Sequence, residues 1–197
     1  MRHRARRLRR RIGWKHRPWW ERWPHELLKL EHDLPPEYHH FTRGRIGNAL
    51  VYRGDVELDG IGVSRRIAIV FPRRPSIYAP YVMTDGPRPR RHRWSGFRPT
   101  HLCLWYAFDP KAMRWTLDNG LIRLIDLVRV HLIRELWFMS TGTWPAPEHH
   151  QPPNRPRTKR KEDLARERRT CWCGSGRYLH CHGSGSAADE LDTLGIT

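Results

Sequence analysis

The residues of this chain that could do chemistry fall in two places. The first is RHRWSGFRPTHLCLWYAFDP, residues 91–110, where Cys103 sits in the most apolar run of the sequence, directly after an arginine-rich loop. The second is CWCGSGRYLHCHG, residues 171–183, which holds the other three cysteines, so Cys103 has no sequence-local thiol partner. A thiol beside Leu102, Leu104 and Trp105 can simply be a small core residue. It can also be a nucleophile, because it lies where a long polar loop meets an apolar segment, a common place for reactive side chains. Arg88, Arg90, Arg91, Arg93, Arg98, His92 and His101 surround it in sequence, and positive charge near a thiol favours the thiolate. His101, two residues before Cys103 on an alternating strand, would point the same way; His92 comes from the loop and ranks equally. No local Cys-His-Asn protease pattern is present. A thiol is a fair nucleophile near neutral pH, so acyl capture here would not need a strong base.

In the second place Cys171, Cys173, Cys181 and His182 supply three thiolates and an imidazole. That set can close a tetrahedral zinc shell with no open position, which describes a structural rather than a catalytic metal. Gly174, Ser175 and Gly176 allow the tight turn that would bring both pairs to one ion.

Net charge is +17 over 197 residues, unevenly spread. Residues 1–17 carry nine Arg/Lys and no acid, and residues 155–169 carry eight against three acids, whereas residues 18–154 are near +5. Such flanks suit an acidic partner, nucleic acid or a polyanionic protein surface, or serve as solubilising arms. The longest unbroken apolar run is Leu102–Phe108, too short for a membrane span. The amino terminus lacks the apolar stretch of a secretory signal. Clustered cysteines with a histidine fit metal binding in a reducing cytoplasm better than a disulfide framework.

The elements that must position Cys103 read as follows. Residues 18–33 are expected to form one helix, with Pro24 in its first turn and Trp20, Trp23, Leu27 and Leu30 on its apolar face. Strands are expected over ALVYRGDVEL, with Leu50, Tyr52 and Val56 on one face, over SRRIAIVFP, with Ile67, Ile69 and Phe71 on one face, and over PYVMT. Short strands separated by Gly, Pro and Asp predict an antiparallel meander. Residues 84–101 read as a loop. Residues 120–138 give the clearest helix, with Leu121, Ile125, Val128, Leu132 and Leu136 inward and Arg123, Asp126, Arg129 and Arg134 outward. The fold class is therefore α+β, with helices on one face of a small sheet. The domain plan is a basic arm (1–17), a core domain (18–140), a Pro-rich then basic linker (141–169), a cysteine knuckle (170–183) and an acidic tail (184–197).

The order helix, strands, Phe71-Pro72 with Pro75 and Pro80, His92, Leu-Cys-Leu-Trp around Cys103, Trp115 and long helix resembles the ubiquitin-conjugating enzyme (UBC) fold over about residues 18–140. It is more similar to the bacterial conjugating-enzyme-like proteins of antiphage operons, including CBASS. The resemblance implies an enzyme: Cys103 holds a carboxyl terminus as a thioester and passes it to an amine or to water, with His92 and His101 as assisting residues. In that group the acyl donor or target is a cyclic-oligonucleotide synthase, and an activating enzyme can take part. The family's His-Pro-Asn reads His92-Arg93-Trp94 here, so a histidine or backbone amides would have to stabilise the oxyanion. Asp109 and Asp118 are candidates to orient an amine, against plainer roles in a turn and a helix cap. The Cys-x-Cys-Gly-Ser-Gly start and Cys-His-Gly end resemble the SEC-C zinc motif. The Cys173–Cys181 interval is one residue shorter than usual there, which makes His180 a substitute ligand. No G-x-x-x-x-G-K-[ST] loop occurs, so self-adenylation of the substrate is not expected.

A second reading, of another class, is a non-catalytic adaptor on nucleic acid or the ribosome. There the UBC-like domain is inert, and the basic arms and knuckle bind, with Trp14, Trp19 and Trp20 suited to base stacking.

Overall fold

The structure, a computed structural model, describes residues 17–32, 34, 38, 40–73, 80–86, 102, 104, 114–145 and 187–195. Among them run helix α1 (Trp19–Arg22), α2 (Pro24–Glu31), strands β1 (Thr42–Ile46), β2 (Ala49–Leu58), β3 (Val63–Phe71) and β4 (Tyr81–Thr84), then α3 (Gly120–Thr141) and α4 (Ala187–Leu194). The strands form one antiparallel sheet in the order β1-β2-β3-β4. This is the α+β meander that the alternating patterns predict. Strand β1, TRGRI, carries too little apolar alternation to be read from sequence; it is held by pairing with β2 from Thr42↔Arg53 to Ile46↔Ala49.

The single helix expected over 18–33 is two helices. Trp23 breaks it with an extended φ of −132° and ψ of 72°, because the ring of Pro24 disfavours helical backbone in the residue before it. The break re-aims the indoles. Trp19 and Trp20 enter the core, while Trp23, expected inside, is 37% exposed.

The front of the sheet presents Leu50, Tyr52, Val56, Leu58, Ile67, Ile69, Phe71 and Val82 to α1, α2 and α3. Trp19 meets Phe71 edge-on at 6.0 Å between ring centroids, and Phe71 meets Tyr52 at 5.8 Å; such geometries suit the aromatic quadrupole. The packing is close. Gly54, on this face, lies under Phe41, and a Cβ there would come within 2.7 Å of the ring.

The back of the sheet is also covered. Ala49, Val51, Ala68, Val70 and Met83 cluster with Leu194 and the half-buried Leu191 of α4. Helices on one face only were expected, and the run Ile67–Phe71 explains the difference. All five of its residues are buried, and a continuous apolar run marks a strand covered on both sides.

Helix α3 buries Leu121, Leu124, Ile125, Val128 and Leu132, close to the predicted stripe. It starts after a 3₁₀ turn, Leu117–Asn119, closed by Thr116 and Asn119, and it ends at Gly142, whose φ of 72° admits the left-handed cap. The cap contacts thus come from Thr116 and Asn119; Asp118 stays exposed, its carboxylate 3.7 Å from the Lys29 ammonium. Arg129, expected outward, is only part-exposed. Its guanidinium donates to the Glu57 carbonyl at 3.2 Å and to the Tyr38 hydroxyl at 2.9 Å, tying α3 to the β2–β3 end of the sheet.

Candidate functional site

Cys103, His92 and His101 lie outside the described residues, as do Trp105 and Asp109. The residues on either side of Cys103 are described. The Leu102 amide donates to the Val82 carbonyl of β4 at 2.8 Å, and the side chains of Leu102 and Leu104 pack on the front core. The chain therefore returns to the edge of the sheet at the position flanking the cysteine. Alternating Leu side chains supply the apolar anchors and the Val82 carbonyl supplies the register. Trp115 packs against the front core. Its indole N–H donates to the Gly120 carbonyl at 2.7 Å, and its ring lies 5.8 Å from that of Phe71.

The set Cys171, Cys173, Cys181 and His182, with the substitute His180, also lies outside the described residues. Among the described residues no three His, Cys, Asp or Glu side chains come together as metal ligands. The donor types themselves fit zinc: thiolate and imidazole are its preferred ligands, and four of them complete its coordination.

Two polar constellations emerge that the sequence reading did not pick out. On α3, His131 and Glu135 are both buried, and the His131 Nε2 is 3.1 Å from the Glu135 carboxylate. Trp144 covers the imidazole at 5.7 Å between centroids. Glu135 also lines a small cleft between α3 and the end of β4, together with Arg65, Thr84, Asp85, Leu132 and Met139. The cleft is about 10 Å³, room for one water, so it is no substrate pocket. The spacing signal existed: position 135 continues the i, i+3, i+4 stripe through Val128 and Leu132. A carboxylate on that stripe could have been flagged as buried and paired.

The second constellation joins α2 to the sheet. The Tyr52 hydroxyl donates to the Glu31 carboxylate at 2.6 Å, and Arg43 donates to both carboxylate oxygens at 3.0 and 3.1 Å. Burial, then the Glu31 acceptor, pushes the Tyr52 phenol well above its ordinary value. The Glu31 hydrogen bond and charge raise Arg43 further. For Arg129, burial works against the charge, and the Tyr38 hydroxyl with Asp59 and Asp126 more than offsets it. These groups are locked in their ordinary protonation states, which suits a structural role.

No protein-family model matches the chain, and no curated protein matches it in sequence. No helix among the described residues is long and apolar enough to cross a membrane.

Proposed function

We propose that this chain is a ubiquitin-conjugating-like acyl carrier of the cytoplasm, with Cys103 as the thioester-forming residue. The observation that supports the reading is the order of elements around that residue. A helical amino-terminal segment leads into a four-stranded antiparallel meander. The chain then returns to the edge of β4 through Leu102, and the long helix α3 packs on the same front face. This is the order that a conjugating-enzyme-like fold implies.

In the reaction, the Cys103 thiolate attacks an activated carboxyl carbon. The S–C bond forms as the activating group, a nucleotide phosphate or another thiolate, leaves with the electron pair of the C–O or C–S bond that breaks. An amine then attacks the thioester carbonyl, loses its proton to a base, and expels the Cys103 thiolate; water would give a free carboxylate instead. His92 and His101 are the candidates for accepting that proton or donating to the oxyanion. The acyl group proposed is the carboxyl terminus of a cyclic-oligonucleotide synthase in an antiphage operon, delivered with or without an activating enzyme. Cys171, Cys173, Cys181 and His182 would hold a structural zinc as a docking knuckle.

Alkylation tests the nucleophile. The folded chain treated with iodoacetamide and mapped by mass spectrometry should be modified at Cys103 well before unfolding, faster as pH rises through the thiol's pKa. Modification of Cys103 only above the unfolding transition would make it a packing residue and exclude the acyl-carrier reading.

A further inference from the structure

Helix α3 has a second apolar face. Its inner stripe, from Leu121 to Leu132, is buried on the sheet. On the opposite side Val130 is 44% exposed and Trp137 54%, with the half-buried Leu127 and Ile133 beside them. These four recur at helical spacing and form one stripe. Arg123, Asp126 and Arg134 are the charged members of the same face. An apolar stripe rimmed by charges marks a contact surface.

The order of residue types on this face is its own complement about Val130. Leu127 stands three residues before Val130 and Ile133 three after. Asp126 stands four before and Arg134 four after; Arg123 stands seven before and Trp137 seven after. A two-fold axis at Val130 sets two copies of α3 antiparallel and brings positions equally distant from Val130 level with one another. Leu127 then meets the partner's Ile133, Asp126 meets the partner's Arg134, and Arg123 meets the indole of the partner's Trp137, a cation on an aromatic ring. Each contact occurs twice. Asp126, Val130 and Arg134 form an i±4 row, and such rows interdigitate at a crossing angle of about −50°. Asp126 lies 3.6 Å from Arg129 of its own helix and keeps 42% of its side chain in solvent, so its carboxylate can take a second cation. Other arrangements lose the match. Sliding one helix by three residues sets Arg134 opposite the partner's Arg129 and Asp126 opposite the partner's Trp137. A parallel pair sets each arginine against its own copy.

We propose that the outer face of α3 is a self-association surface, joining two copies of the chain antiparallel about Val130. A second copy is the occupant the face favours, because it answers every charge with its opposite and every apolar side chain with another. The surface is independent of the acyl-carrier reading, which places its chemistry at Cys103. One helix against one helix makes a contact at the small end of specific interfaces, and a net charge of +17 on each copy opposes their approach. The dimer is therefore of micromolar strength and exchanges with monomer.

The test is sedimentation velocity of the full chain, freed of nucleic acid, at physiological salt, where repulsion between the copies is screened. Over about 1–200 μM the sedimentation coefficient should climb from that of a monomer to that of a dimer. Val130→Glu sets two carboxylates against each other on the two-fold axis and should abolish the dimer over that range. Trp137→Ala should weaken it about tenfold or more. Asp126→Arg and Arg134→Asp should each weaken it about tenfold, and the two changes together should return it to within about threefold of the parent chain. Leu28→Ser, which removes an exposed leucine on α2, should leave it unchanged. Circular dichroism of each variant separates lost association from lost fold. A chain that stays monomeric throughout would assign the face to another protein and overturn the proposal. So would a dimer that Val130→Glu leaves intact, or a double charge reversal that associates no more tightly than the single ones.

Discussion

The front of the sheet lies under three helices and is packed with large side chains, Trp19, Trp20, Leu30, Ile69 and Phe71 among them. The back lies under one eight-residue helix and is built from Ala49, Val51, Ala68, Val70 and Met83. The two faces therefore respond differently to damage. A cavity opened in the front is walled by elements that hold one another in place. A defect on the back can be relieved when α4 lifts off, which caps its cost at the docking energy of that helix. Small side chains on the back also let α4 approach closely, with Leu194 fully buried against them. Gly195, just past its end, lies beside the Arg53 guanidinium. A cation at a helix carboxyl end favours the docked state.

That contrast can be broken by substitution. Ile69→Ala, at the centre of the front, should cost about 2–5 kcal/mol in denaturant unfolding. On the back, Leu194→Asp should cost no more than about 1.5–3 kcal/mol, the value of burying one leucine. It should also leave the unfolding of the rest of the chain cooperative. Equal losses for the two would mean that α4 is as integral as the front helices. Gly54→Ala sharpens the front's side of the comparison: the added methyl must displace Phe41, at about 1–3 kcal/mol.

Smaller effects come from the polar groups. Glu135→Ala leaves the buried His131 without that partner and should cost about 1–3 kcal/mol. Tyr52→Phe should cost about 0.5–1.5 kcal/mol, and it carries a pH signature. The folded-state pKa of Tyr52 is raised, so its stabilising contribution is complete below the ordinary tyrosine value near 10. Above that pH the unfolded chain releases the proton and the folded chain keeps it. Stability is then lost with a slope of up to about 1.4 kcal/mol per pH unit. Subtracting the Tyr52→Phe curve from the parent curve above pH 10 isolates this proton; identical slopes would mean that neither burial nor the Glu31 acceptor raises the phenol.

The comparison of faces also explains which parts were legible in the sequence. Strands β2, β3 and β4 and helix α3 announce themselves because their periodicity records a packed face: Leu50, Tyr52 and Val56 alternate, and Leu121, Ile125, Val128 and Leu132 recur at helical spacing. Strand β1 was not legible, since TRGRI owes its place to hydrogen bonds with β2 rather than to apolar burial. Helix α4 was read only as an acidic tail, because two leucines in eight residues leave little pattern and the complement lies far away on β2, β3 and β4. The split at Trp23 follows from Pro24 and could have been read from local sterics. Of the site, the apolar flanks Leu102 and Leu104 are placed at the sheet as their hydrophobicity suggests. The roles of Cys103, His92 and His101 rest on residue chemistry and family resemblance. The buried His131–Glu135 pair follows from helix periodicity, once a carboxylate is allowed on a core stripe.

The acyl-carrier reading stands or falls on a covalent bond. The chain should be co-produced with the proteins encoded beside it, isolated without thiols, and weighed intact by mass spectrometry before and after hydroxylamine. The account predicts an added mass on Cys103 that hydroxylamine removes, that a phosphine reductant leaves in place, and that Cys103→Ala never acquires. An unmodified chain, or an adduct released by the phosphine and untouched by hydroxylamine, would contradict it.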